Sequence, residues 1–295
     1  MPRDEAQPQV SIVLPARNEE SVIARVVSAI RYGHPDAEIL VVDDGSTDTT
    51  GERAMDAGAR VLRHPYSMGN GAAVKSGARA ARGNILVFMD ADGQHDPAEI
   101  PNLLARLEEG FDMVVGARSG RGQASAGRAV ANRIYNRLAT WLTGHPILDL
   151  TSGFRAVRAA RFREFLYLLP NGFSYPTTIT MAFFRAGYPV AYQPITAGPR
   201  QGRGSHIRPL RDGLRFLTII FKVATLYSPL KVFAPISALG FVAAVGYSAY
   251  TLGMMGRFTN MSALLFIFSL LAFLIGLLSE QITVLMYKDS GTSGE

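Results

Sequence analysis

NILVFMDADGQHDP, residues 84–97, runs from a short apolar stretch of β type directly into Asp90, Ala91, Asp92 and Gln94. Side chains at i and i+2 of an extended chain point the same way, so Asp90 and Asp92 can present oxygens to one place at a strand end. Two carboxylates so placed suit a hard cation, Mg²⁺ or Mn²⁺, that keeps open positions for diphosphate oxygens. A lone D-x-D is more often a solvated turn. Here the preceding strand is apolar enough to be central, and two more polar turns follow strands upstream, PARNEE (15–20) and VVDDGSTDTT (41–50). In a parallel sheet the three turns can meet on the carboxyl edge, where open α/β folds bind ligands.

Working outward, VSIVLP (10–15), EILVVDD (38–44), ARVLRH (59–64), NILVFMD (84–90) and DMVVGAR (112–118) alternate with helical runs. That alternation predicts an α/β domain with a mostly parallel sheet covered by helices. The first helix is expected to be capped by Asn18 and to bury Val22, Val26 and Ile30. SGRGQASAG (119–127) predicts a loop, followed by a helix from Arg128 to Leu142. On that helix Arg128, Asn132 and Asn136 share one face at i, i+4, i+8, which suits either a phosphate clamp or an ordinary solvated surface. AGPRQGRGSHIRP (197–209) is a second irregular stretch.

The chain has no cysteine among 295 residues, which excludes disulfides, zinc–thiolate sites and a thiol nucleophile. The net charge of +6 would fit nucleic acid, but many of the bases fall between Arg200 and Lys231, directly before the most apolar part of the chain. Bases so placed mark the cytoplasmic side of a membrane and attract anionic lipid, so membrane lipids are the expected partner and nucleic acid is not. Leu210, Leu214, Leu217 and Phe221 recur at helical spacing beside Arg208, Arg211, Arg215 and Lys222, predicting an amphipathic interfacial helix. Val232 to Met255 and Met261 to Tyr287 are each long enough to cross a hydrocarbon core of ~30 Å, with GRFTN as the turn between them. Glu280, inside the second run, is expected to reach the interface or pair with the other helix. The polar N-terminus shows no signal peptide. The expected organisation is a disordered tail (1–9), a cytoplasmic catalytic domain (10–206), the interfacial helix (207–229), two transmembrane helices (230–287) and a cytoplasmic tail (288–295).

The ordered set PARNE, VVDDGSTD, DADGQHDP, GAR, DLTSGFRA and RQGRGSHIR, followed by paired spans, resembles the family 2 glycosyltransferases of GT-A fold. Within them it is similar to the polyprenyl-phosphate hexose synthases, the dolichyl-phosphate mannose synthase type. The resemblance implies a Rossmann-like GT-A domain and a donor pocket formed by Pro15, Ala16, Arg17, Glu19 and Asp44. It implies a metal and diphosphate site at Asp90, Ala91, Asp92 and Gln94, holding Mg²⁺ or Mn²⁺. Arg118, Arg128, Asn132, Arg133 and Asn136 look like the acceptor-phosphate clamp, and Arg200, Ser205 and His206 match a loop that closes over both anions. Asp92, Arg118, Arg128, Arg200 and His206 are the implied catalytic set. Arg17, Asn132 and His206 stand where the family often has tyrosine, serine and lysine.

The implied reaction moves mannose, or else glucose, from a GDP- or UDP-hexose to polyprenyl phosphate with inversion, in a bacterial or archaeal plasma membrane. The resemblance also allows a homo-oligomer. The alternative acceptor is a lipid or glycolipid hydroxyl, for which Asp149 would serve as base; in the first reading Asp149 pairs with an arginine. His64, His95 and His145 lack metal-ligand spacing and are expected to be structural.

Overall fold

The computed structural model describes residues 9–118, 126–172, 174–196, 221, 225 and 227–288, with side chains of 126–132 and 288 left aside. The chain divides into two compact units, Met1–Pro209 and Leu210–Glu295.

The first unit is built on β1 (Val10–Ala16), β2 (Glu38–Asp43), β3 (Arg60–Arg63), β4 (Ile85–Phe88), β5 (Met113–Arg118), β6 (Arg155–Arg158) and β7 (Val190–Ile195). They form one sheet in the order β3-β2-β1-β4-β6-β5-β7. β1 pairs in parallel with β2 and β4, β2 with β3, and β5 with β7, whereas β6 runs antiparallel between β4 and β5. Ile12, Val13 and Leu14 of β1 and Leu40, Val41 and Val42 of β2 are fully buried, which explains their unbroken apolar runs: both faces of the sheet are covered. Pro194 lies in β7, an edge strand, where a missing N–H does least harm.

The helices of this unit are α1 (Ile23–Gly33), α2 (Thr50–Asp56), α3 (Asn70–Ala80), α4 (Ile100–Glu108), α5 (Ala126–Thr143), α6 (Ala159–Arg163) and α7 (Tyr175–Arg185). α1 buries Ile23, Val26, Val27 and Ile30, worth about 2 kcal/mol apiece in removed apolar surface. The expected cap is not found. Val22 occupies the N-cap position with no side-chain bond, and Asn18 instead takes a left-handed conformation, φ 54°, and serves the neighbouring loop. Two strands, β6 and β7, and helix α7 were not anticipated from the sequence: RAVR carries two arginines in four residues and gives no strand pattern.

The second unit contains α8 (Pro229–Met255) and α9 (Asn260–Lys288), antiparallel and joined by a turn at Gly256, φ 63°. Both are long and apolar enough to cross a membrane. Their outward faces carry Leu239, Val242, Leu271 and Leu278, more than half exposed, while the contact face carries small polar residues. Ser237 donates to the Ser269 carbonyl at 2.8 Å and Ser269 donates back to the Ser237 carbonyl at 2.9 Å. A Cβ on Gly276 would stand 2.6 Å from Phe233 Cβ, so glycine lets the backbones approach. Glu280 pairs with the other helix, as expected: its Oε2 accepts from the Leu230 N–H at 3.2 Å, satisfying a free donor in the first turn of α8. The predicted interfacial helix falls mostly on 207–220, outside the described residues.

Candidate active site

The carboxyl ends of β1, β2 and β4 lie side by side, so the three polar turns share one edge. The first two are laced together. Asn18 N–H donates to Ser46 Oγ (3.0 Å), its Oδ1 accepts from Thr47 N–H (2.9 Å), and Glu19 N–H donates to Thr50 Oγ1 (2.8 Å). Within this loop pair Ala16 is buried, Pro15 and Glu19 are half-buried, and Arg17 is exposed.

Asp44 is buried and densely bonded. It accepts from Ser67 Oγ, Met68 N–H and Gly69 N–H at 2.8 to 2.9 Å, and meets His64 Nδ1 at 2.8 Å. Burial pushes its pKa up, but the bonds from His64, Met68, Gly69 and Ser67 outweigh it and hold the carboxyl below its usual value. With Nδ1–H given to Asp44, His64 Nε2 accepts from Ser76 Oγ at 2.9 Å. Asp44 therefore fixes the 64–69 loop beside the edge.

In the third turn Asp92 is 8% exposed and Asp90 and Gln94 are half-buried. Gln94 N–H donates to Asp92 Oδ1 at 3.1 Å, and Gly93 turns the chain at φ 73°. Asp90 accepts no hydrogen bond among the described residues, and its carboxylate packs on Gly153, where a Cβ would meet Oδ2 at 3.2 Å and Oδ1 at 3.3 Å. No group of three or more His, Cys, Asp or Glu closes on a point among the described residues. The turn itself carries two carboxylates and an amide, Asp90, Asp92 and Gln94. That fits Mg²⁺ or Mn²⁺ completing its shell with water and diphosphate, and not a closed structural metal site.

His95, expected to be structural, is buried beside the turn, where the charges of Asp90 and Asp92 act on it. Its ring stacks on Phe154 at 5.0 Å between centroids, and its buried Nδ1 has no partner among the described residues. Burial depresses its pKa, against the pull of the two aspartates.

Arg118, the last residue of β5, grips Asp149 with both arms of its fork: Nε donates to Oδ2 at 2.8 Å and Nη2 to Oδ1 at 3.1 Å. Nη2 also reaches Thr151 Oγ1 at 2.8 Å. Burial pushes the Asp149 pKa up, but Arg118 overrides it and holds the carboxyl below its usual range; burial pushes the Arg118 pKa down, and Asp149 more than reverses it. Asn136 faces this loop, giving Nδ2–H to the Leu148 carbonyl (2.6 Å) and accepting from Leu150 N–H (3.2 Å). One of its two amide N–H groups is thereby given to the loop. Arg133 is exposed on α5. The side chains of Arg128 and Asn132, and all of Arg200, Ser205 and His206, lie outside the described residues. Gly153, which packs on the Asp90 carboxylate, and Arg155 and Tyr175, which bond the carbonyls of Ser152 and Gly153 behind it, were missed; a glycine inside DLTSGFRA was the available signal for close backbone approach.

The mostly parallel sheet, with a paired-aspartate turn on its carboxyl edge, has the GT-A architecture. The chain belongs to glycosyl transferase family 2, whose model matches residues 11–166. Residues 228–285 match a GtrB C-terminal hairpin. Glycosyltransferase AglJ of Haloferax volcanii is 31% identical over 82% of this chain and 80% of its own length. Polyprenol monophosphomannose synthase of Mycolicibacterium smegmatis is 31% identical, covering 67% of this chain and 82% of that protein. Among solved structures, glucosyl-3-phosphoglycerate synthase of Mycobacterium tuberculosis in complex with Mn²⁺, UDP and glucosyl-3-phosphoglycerate superposes with a TM-score of 0.58 at 26% identity, covering 75% of this chain and 81% of that one. The same enzyme has also been crystallised with Mg²⁺ and UDP.

Proposed function

We propose that this family 2 glycosyltransferase moves a hexose, mannose or else glucose, from a GDP- or UDP-sugar to a polyprenyl phosphate, with inversion, at the cytoplasmic face of a membrane in which α8 and α9 are embedded. The observation that carries the acceptor class is the bidentate Arg118–Asp149 pair. A hydroxyl acceptor needs a free carboxylate to take its proton. Asp149 is instead neutralised and held ionised by Arg118, which suits a site that positions an anion. A phosphate monoester is already an anion near neutral pH and attacks without a base.

In this reading a phosphate oxygen of the acceptor attacks the sugar C1 while the bond from C1 to the donor diphosphate breaks, and the nucleoside diphosphate leaves. Asp90, Asp92 and Gln94 would hold the divalent cation, which when bound neutralises charge on the leaving diphosphate. The remaining steps belong to the chain itself. The clasped loops at 15–20 and 44–50 fix the nucleoside end, with Pro15, Ala16, Arg17, Glu19 and Asp44 as its pocket. Arg118, oriented by Asp149 and Thr151, stands at the acceptor phosphate with Arg128, Asn132 and Arg133, and the loop bearing Arg200, Ser205 and His206 covers the two anions. Catalysis here is positioning plus charge neutralisation. The homologue named polyprenol monophosphomannose synthase and the GtrB-type hairpin support this acceptor.

A competition between polyprenyl phosphate and the corresponding polyprenol, with one labelled donor, tests the reading. Label confined to the phosphate, in a β-linked product from an α-linked donor, is expected. Label on the polyprenol, or an α-linked product, would refute it.

A further inference from the structure

Arg155 opens β6 with its side chain at 0% exposure. Its cross-strand neighbours are Phe88 of β4 and Val115 of β5, so it lies in the middle of the sheet, level with the strand end that leads to Asp90. Nη1 donates to the Pro176 carbonyl and to Thr180 Oγ1, both at 3.2 Å, and Nη2 donates to the Ser152 carbonyl. Its Nε has no partner, and no carboxylate forms an ion pair with it among the described residues. Burial pushes its pKa down, and the charges of Asp149 and Asp90 act against that through the interior.

Packing alone does not call for such a residue, since burying a cation that no carboxylate pairs with carries a desolvation cost that an apolar side chain would not. What the guanidinium does hold is the Ser152–Gly153 segment, and that segment is the wall on which the Asp90 carboxylate rests. Tyr175 supports the same wall, its hydroxyl donating to the Gly153 carbonyl at 3.4 Å while its ring lies 5.8 Å from the guanidinium carbon.

We propose that Arg155 is a positioning residue for the donor site: it holds the Gly153 wall against Asp90 and places a fixed positive charge within reach of both Asp90 and Asp149. Two carboxylates at a diphosphate site repel the ligand they must help to seat, and a permanent buried cation offsets that repulsion without occupying the site. The inference rests on Asp90 and Asp92 forming the donor diphosphate site.

The test uses full-length protein in detergent micelles, with Arg155→Met and Arg155→Lys. Melting, calorimetric binding of GDP and UDP with Mn²⁺, and donor KM against kcat are each measured. Arg155→Met is expected to melt lower than the parent, because three buried acceptors lose their donor, and, measured at a temperature where it is fully folded, to bind nucleotide about 10- to 100-fold more weakly, with Arg155→Lys restoring most of the lost binding. Unchanged binding in Arg155→Met overturns the proposal. So does equal impairment of both variants, which would mark a mere core staple. Should Arg155→Met not fold, Arg155→Lys decides: parent-like melting with near-parent binding supports the charge, and parent-like melting with lost binding overturns it. If the parent itself binds neither nucleotide with Mn²⁺, the donor-site reading fails first and takes the proposal with it.

Discussion

Asp149 carries most of the chemical interpretation at the residue scale, and pH interrogates it directly. Its folded pKa lies below the unfolded value of about 3.9, so the stability it contributes is fully present above that value and is lost as pH falls through the lower folded pKa. Asp149→Asn should therefore cost about 2 kcal/mol at pH 7, and the gap to the parent should narrow once the solution is acidified below about pH 4, as followed by denaturant melts across pH. A gap independent of pH would mean that the ion pair contributes nothing. Gly153→Ala places a methyl 3.2 to 3.3 Å from both Asp90 oxygens, so it should weaken Mn²⁺-dependent nucleotide binding about 10- to 100-fold while the melting point hardly moves. These residues differ in how readable they are. Asp90 and Asp92 announce themselves by spacing at a strand end, and the pairing of Asp149 with an arginine was anticipated as one of two readings. Arg155 could not be read, because an arginine in a sequence is normally an exposed charge and only the antiparallel insertion of β6 buries it.

At the scale of elements, the parallel half of the sheet was legible because strands buried on both faces are apolar without interruption, as Ile12–Leu14 and Leu40–Val42 are. The antiparallel β6 is four residues long and half arginine, and its placement between β4 and β5 is a tertiary fact with no local signature. The cap of α1 failed for a related reason: Asn18 had a stronger claim on it from the Thr47 amide, across the turn from the second strand. In the hairpin, Glu280 acts on the first turn of α8 by accepting a hydrogen bond from the Leu230 N–H. Glu280→Gln keeps an acceptor and should leave activity and detergent stability unchanged, whereas Glu280→Leu should cost about 1 kcal/mol in a thermal melt in micelles. Loss of transfer in Glu280→Gln at full stability would instead give the carboxyl a functional charge. Gly276→Val should separate the helices by clashing with Phe233, lowering the melting point of the full chain more than the same change at Gly253, where nothing lies nearby.

For the whole molecule, the two compact units make separable contributions to the proposed reaction. Removing residues 207–295 should spare nucleotide binding but greatly reduce transfer to long polyprenyl phosphates, and undiminished transfer would contradict an acceptor delivered from the bilayer. The two long apolar helices were legible from composition alone, since the change from alternating α/β pattern to two long apolar runs is abrupt. The loop bearing Arg200, Ser205 and His206 was read only as a motif and lies outside the described residues, and the sugar was not read at all, because hydrogen bonds to individual hydroxyls leave no sequence pattern. The central claim is tested most directly by transfer with the purified full-length protein, Mn²⁺, polyprenyl phosphate and a panel of labelled GDP- and UDP-hexoses, run beside Asp92→Asn and a chelator. One donor yielding an acid-labile lipid product that disappears in both controls is the predicted result; no labelled lipid phosphate from any donor, or a product indifferent to Asp92→Asn, would contradict it.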